Sequence, residues 1–316
     1  MMSAEQQHLS ATNNGMYPMR TIASLTDVNP VTLRAWERRY GLIQQQRTNK
    51  GHRLYTEQDV ARIRRVLELL QQGFAISQVG KILDHSSEAV TGPMIEAEVS
   101  TWAGYLAEML AAIDTYDDVL LDQLYNDALS LYPDDLVNTR LSTPLLRELG
   151  QHWKDSTDGI AREHFFTLYL RNKLGSRIHH TGLQSKGPLL LISCLPGELH
   201  EVGMLFFAVN AVSRGYRVLL LGANIPLEQL PAVLSKRACS AVVLSTTARP
   251  ADSVINEQLA TLVARISIPV FVGGAAAERY REEISACGAI CAGFEIQPAL
   301  QQISEKLSHT GEAVRQ

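Results

Sequence analysis

The chain has 316 residues, enough for two or three domains of ordinary size. Its composition is that of a globular protein (46% hydrophobic, 20% charged), and apolar runs such as Leu189–Cys194 and Val218–Leu221 fall far short of the roughly 20 residues that span a bilayer, so a cytoplasmic protein without a membrane partner is expected. The net charge of −4 conceals an asymmetry: residues 1–85 carry 11 Lys/Arg against 7 Asp/Glu, and residues 86–186 carry 8 against 15, which places any nucleic-acid contact at the N-terminus.

Residues 1–16 are polar and aperiodic and read as a disordered leader. A small helical domain is predicted over 17–84. Within it Thr21–Thr26 forms a short helix, and Asn29-Pro30 starts a second, an N-cap residue followed by proline in the first turn. That helix runs to Tyr40 and stops at Gly41. Leu33, Trp36 and Tyr40 form its inward stripe, while Thr32, Arg34, Arg38 and Arg39 project elsewhere and can reach bases or phosphates. The run from Arg47 to Tyr55 follows, a basic hairpin turn in which Arg47, Lys50, His52, Arg53 and Tyr55 suit phosphate contact. A solvated charge run on a small helical domain is the plainer reading of the same residues.

Residues 93–183 alternate apolar and acidic positions at helical spacing, with breaks at Pro133 and Pro144, and predict a four-helix bundle with an acidic exterior. From Gly187 the texture changes. Short apolar runs at Leu189–Cys194, Tyr216–Leu221, Ala241–Ser245, Val270–Val272 and Ala289–Ala292 alternate with helical segments. Buried strands alternating with helices predict a doubly wound, Rossmann-like parallel sheet over 187–308. Ligands of such sheets sit beyond the C-terminal strand ends. The four cysteines (Cys194, Cys239, Cys287, Cys291) include no Cys-x-x-Cys pair and read as small core residues.

The stretch Thr32–Glu37, Gly41-Leu42 and Arg47–Tyr55 resembles the DNA-binding domain of the MerR family, a winged helix-turn-helix. The resemblance implies that the helix from Pro30 enters the major groove of double-stranded operator DNA and that the hairpin holds the backbone. The coiled-coil helix by which that family usually dimerises has no counterpart after Leu83, so oligomerisation must be arranged differently.

Three elements at strand ends in the last domain form a second resemblance. Glu198-x-His200-x-x-Gly203, Ser245-x-Thr247 and Gly273-Gly274 are similar to the cobalamin-binding signature. That likeness implies cobalt ligation by a neutral His200 from the lower face, with Glu198 accepting the other ring N–H. Gly203, Ser245, Thr247, Gly273 and Gly274 would leave a slot for the nucleotide tail. Glu198 stands where Asp is commoner, and Thr247 where Leu is expected. A receiver or dinucleotide fold is the alternative for this domain, but the acidic pocket of the one and the Gly-x-Gly-x-x-Gly of the other are missing from the first strand ends.

In the bundle, Trp153 is followed after nine residues by Glu163-His164, a spacing that resembles the light-sensing CarH/LitR group of MerR-type regulators. The whole order of domains then implies a repressor, not an enzyme, that uses adenosylcobalamin. By that resemblance Trp153, Glu163 and His164 shape the pocket of the upper adenosyl group. Chains assemble as a homotetramer on DNA in the dark, and light releases them. The group's histidine directly after the tryptophan is Lys154 here, and an ammonium does not ligate cobalt, so the illuminated state is expected to differ from a bis-histidine complex. Sensing of cobalamin level, redox state or another small ligand without photochemistry, and a corrinoid enzyme module, are the competing readings.

Overall fold

A computed structural model describes residues 16–26, 28–43, 46–47, 53–84, 94–152, 157–183 and 185–313. Trp153, Lys154, Lys50, His52 and almost the whole expected leader lie outside the described residues. The chain divides into two compact units, Met1–Phe166 and Thr167–Gln316. The division falls within the segment 93–183 expected to form the bundle.

The first unit opens with β1 (Tyr17–Pro18) and α1 (Met19–Thr26). Helix α2 (Pro30–Ala35) follows and continues through a π-helical turn over Trp36–Tyr40. The hairpin strands β2 (Gln46–Arg47) and β3 (Arg53–Tyr55) pair antiparallel, and β1 completes a small sheet on the other side of β3. Helices α3 (Glu57–Gln72) and α4 (Ile76–Asp84) close the head. Thr56 and Asp59 form a reciprocal capping box at the start of α3, and Gly73 ends it with φ +107°. Ile22, Leu33, Trp36, Leu42, Ile63 and Val66 are fully buried, forming a core large enough to fix the orientation of α2.

The bundle comprises α5 (Met94–Asp114), α6 (Asp118–Leu131), α7 (Asp134–Val137), α8 (Thr143–His152) and the first part of α9 (Gly159–Gly182). Met109, Ile113, Leu121, Leu141, Leu145 and Phe166 fill its centre. Pro133 ends α6, as expected, and stands at the N-cap of α7. Pro144 does not break the helical path. A π-helical turn over Asn138–Ser142 joins α7 to α8, and its wider winding accommodates a residue that lacks an N–H and crowds the carbonyl one turn back.

The second unit carries five parallel strands: β4 (Leu189–Cys194), β5 (Arg217–Gly222), β6 (Ala241–Ser245), β7 (Val270–Gly273) and β8 (Ile290–Gly293). Their order is β5-β4-β6-β7-β8, with every neighbouring pair parallel. The connecting helices are α10 (Val202–Ser213), α11 (Leu230–Lys236), α12 (Ala260–Arg265) and α13 (Arg281–Ala286), with α14 (Ile296–Ala313) after the last strand. Leu191, Val242, Leu244, Val270 and Val272 share one core with Leu230, Leu259, Leu262 and Ile284. Helix α10, buried along nearly its whole length, packs against β4, β5 and β6. Central strands β4 and β6 are buried at every residue, hence their unbroken apolar sequence. Because β4 lies between β5 and β6, the chain leaves the sheet in opposite senses from neighbouring strands. Such an order creates a crevice at the ends of β4 and β6.

Candidate functional site

The carboxyl end of β4 is held to those of β5 and β6 before any ligand is considered. The Ser193 hydroxyl donates to the Gly222 carbonyl (2.9 Å), and the Leu195 N–H donates to the Ser245 carbonyl (3.0 Å). Beyond β4 the chain turns through Gly197 at φ +82° into Glu198, Leu199 and His200, and α10 begins at Val202.

Glu198 is 3% exposed, an unusual place for a carboxylate, and its two oxygens are fully used. Oε2 accepts from the backbone N–H groups of Thr247 (2.5 Å) and Ala248 (2.7 Å), beyond β6. Oε1 accepts from the His200 N–H (2.8 Å) and lies 2.5 Å from His200 Nδ1. Burial alone would raise this carboxyl. The donors from Ala248, His200 and Thr247, with the imidazole, outweigh it and hold the group below the ordinary carboxylate value. An ionised partner on Nδ1 keeps the proton there, leaving Nε2 as a lone-pair donor on a ring whose side chain is 62% exposed. The longer side chain of Glu198 therefore reaches both His200 and the loop after β6.

The other expected site residues of this unit gather at the same sheet edge. A side chain at Gly203 would point between the hydroxyls of Ser245 and Thr247, each 4.0 Å from where its Cβ would sit. Gly273 ends β7, and its Cβ would come within 3.2 Å of the Gly293 carbonyl. Gly274 is at φ +110°, where a Cβ would stand 2.3 Å from the Thr246 carbonyl. Gly274→Ala is accordingly expected to cost about 2 kcal/mol through strain and backbone displacement, checked by thermal unfolding. Gly273 and Gly274 are thus required by the close packing of their own backbone against Gly293 and Thr246, while Gly203 faces two small hydroxyl side chains. An exposed imidazole whose other nitrogen meets a buried carboxylate fits a corrinoid, with one nitrogen to ligate cobalt and a carboxylate to orient it.

Three residues of this site escaped the sequence reading. Asn224, at φ +52°, accepts from the Gly197 N–H through Oδ1 (2.8 Å) and donates its own N–H to the Glu198 carbonyl (3.1 Å). Glu201 accepts from the Ala223 N–H through Oε1 (2.9 Å) and pairs with Arg171 of α9 through Oε2 (3.3 Å). The signal for Asn224 was present in Gly222-Ala223-Asn224, a turn-forming run directly after β5. No spacing rule links Arg171 to Glu201. Among the described residues no cluster of three or more His, Cys, Asp or Glu side chains is placed to hold a metal ion. Cys194 and Cys291 are buried free thiols, and burial pushes the Cys194 thiol up to about 12.

Glu163 and His164 lie in the first turns of α9, with Glu163 Oε2 3.9 Å from His164 Nε2 and the histidine side chain 75% exposed. Trp153, expected to join them, is outside the described residues.

In the head, Asn29 caps α2 by accepting from the Val31 N–H (2.8 Å), and Gly41 at φ +63° ends the π-helical turn. Arg34 and Arg38 are exposed along one side of that helix. Thr32, expected to face DNA, is instead 1% exposed and donates its hydroxyl to the Leu129 carbonyl (3.1 Å). Arg39 pairs with Asp127 at 3.7 Å. Tyr55 is not a surface residue either. It packs into the head core with its hydroxyl towards Met19 Sδ (3.7 Å), and burial pushes its pKa up to about 12. Its aromatic ring finishes β3 rather than reaching a phosphate. Arg53 lies 3.4 Å from Glu37, which ties the hairpin to the π-helical turn after α2. Arg47 contributes to β2 by its backbone; Lys50 and His52 lie outside the described residues. If Arg34 and Arg38 each meet a phosphate, replacing either with alanine weakens DNA binding and flattens its dependence on log salt by about one unit, measured by anisotropy across a salt series.

Residues 17–86 match the model of the MerR HTH family regulatory proteins. The HTH-type transcriptional repressor CarH of Myxococcus xanthus is 34% identical over 275 residues, 84% of this chain and 91% of that protein. The repressor CarA of the same organism is 29% identical, over 86% of this chain and 91% of its own. The regulator MlrA of Escherichia coli matches 42% of this chain at 33% identity. Among solved structures, the monomethylamine corrinoid protein of Methanosarcina barkeri aligns at a TM-score of 0.49 and 15% identity, covering 64% of this chain and 98% of its own, a likeness too slight to argue from.

Proposed function

We propose, from the premise that this chain belongs to the family of the HTH-type transcriptional repressor CarH, that it is a light-responsive repressor whose DNA binding is controlled by adenosylcobalamin. The observation that carries the reading is the Glu198–His200 pair, whose carboxylate is buried and whose imidazole offers one free nitrogen at the crevice beyond β4 and β6.

In this reading His200 would ligate cobalt, and Glu198 would fix the tautomer and orientation of its ring. The slot at Gly203, Ser245, Thr247, Gly273 and Gly274 receives the nucleotide tail. Trp153, Glu163 and His164 form the pocket that tests for an upper adenosyl group. Bound adenosylcobalamin supplies a cobalt–carbon bond that green light breaks. Residues of the bundle that fit only the intact upper group then favour one assembly state over the other, because a ligand shifts an equilibrium only by its differential affinity for the two states. The assembled state is a homotetramer on operator DNA. Each head, with 11 Lys/Arg offset by 7 Asp/Glu over residues 1–85, supplies few phosphate contacts, so one head alone holds DNA weakly, and joining several raises the effective concentration enough to hold an operator.

Size-exclusion chromatography with adenosylcobalamin, first in darkness and then after green light, tests the proposal. Assembly in the dark that is lost on illumination is the expected result. A coloured complex whose size ignores light overturns the photochemical half and leaves a sensor of cobalamin level. A chain that takes up no colour overturns the whole.

A further inference from the structure

Helix α2 is not free to meet DNA in this structure. Thr32, Trp36 and Arg39, spaced i, i+4 and i+7, lie along one stripe of α2 and its π-helical turn, and all three engage the end of α6. The Thr32 hydroxyl donates to the Leu129 carbonyl (3.1 Å), and the buried Trp36 indole N–H donates to the Leu131 carbonyl (2.8 Å). Leu129 and Leu131 belong to the last turn of α6, where carbonyls have no partner within the helix. The head thus caps the bundle helix. Arg39 adds a cation at the same negative end and pairs with Asp127 (3.7 Å), which Tyr105 holds by donating its hydroxyl to Oδ2 (2.5 Å).

A helix is about 10–12 Å across with its side chains, and the major groove is about 12 Å wide. A second helix packed on the flank of α2 therefore occupies the space of a groove wall. We propose that the C-terminal end of α6 is a docking surface for the chain's own recognition helix, a lock that must open before α2 can enter DNA. The lock sets the cost of DNA binding from within the bundle, the same domain that the cofactor reading assigns to sensing. It rests on α2 being the helix that enters the groove.

The test uses the full chain without cofactor and a fluorescein-labelled random duplex of roughly three helical turns. Asp127→Lys opposes Arg39 and weakens the lock from the bundle side. Asp118→Lys, at the exposed far end of α6, makes the same change of charge away from the contact. Asp127→Lys is expected to bind about two- to fivefold tighter than Asp118→Lys, the range that removal of one exposed ion pair gives. Equal affinities overturn the lock. If Asp127→Lys loses the wild-type circular dichroism, the comparison of Asp127→Asn with Asp118→Asn carries the same expectation. Arg38→Ala separates the two layers: if neither it nor Arg34→Ala weakens binding, the reading of α2 fails rather than the lock. Independently, the Trp36 indole N–H resonance, assigned with Trp36→Phe, is expected to lose its protection from solvent exchange when duplex is added to the wild-type chain. Unchanged protection at saturating duplex also overturns the lock.

Discussion

His200→Ala is expected to lower adenosylcobalamin affinity by about 100-fold or more, since loss of the group that merely orients a metal ligand typically costs 10–100-fold. The fold should be indifferent to the change. The His200 side chain is 62% exposed, and its one side-chain partner, Glu198, keeps its three backbone donors when the ring is gone. Thermal unfolding of the cofactor-free variant should therefore match the wild type to within about 0.5 kcal/mol. Spectrophotometric titration reads the affinity. Any cofactor still bound should keep its own base on cobalt.

Glu198 gives the opposite division, with both stability and binding affected. All four of its partners donate to it, so no neutral replacement serves them all. Glu198→Ala leaves the Thr247 and Ala248 N–H groups unpaired beside a new void and is expected to cost about 2–4 kcal/mol. Glu198→Gln keeps the shape but turns an amide N–H₂ towards donors on one side. Either change frees the His200 ring and should weaken cobalamin binding by about 10–100-fold. The pH dependence has a definite sign. The folded carboxyl lies below its ordinary value of 4.5, so its contribution is complete above that value and is lost as pH falls through the lower, folded-state value. Acid unfolding below about pH 4.5 should accordingly be steeper for the wild type than for Glu198→Gln, as followed by circular dichroism.

Much of this architecture was legible in the sequence because it rests on local rules. Asn29-Pro30 and Gly41 bracket α2, as a cap residue, an N-terminal proline and a left-handed glycine should. The unbroken apolar runs became the central strands, and the edge strand β5 differs by being only half-buried. The spacing around His200 correctly brought residues distant in sequence to one crevice, because a parallel sheet collects all its strand ends on one side. What the sequence did not disclose depends on packing between elements. Thr32 and Trp36 read as one polar and one inward residue of a recognition helix, and nothing local announces that α6 would accept hydrogen bonds from both. Tyr55 sits in a basic run and looked like a phosphate contact, yet its ring completes a core. Pro144 looked like a helix break because the π-helical turn that absorbs it has no sequence signature of its own.

The most direct measurement is the electron spin resonance of cobalt(II) cobalamin bound to chain labelled with histidine carrying heavy nitrogen. If the His200 nitrogen is the axial ligand, labelling converts the hyperfine pattern from triplets to doublets, and His200→Ala removes the doublets. Triplets that persist in the labelled protein would mean that the cofactor keeps its own benzimidazole on the metal and that His200 has another task.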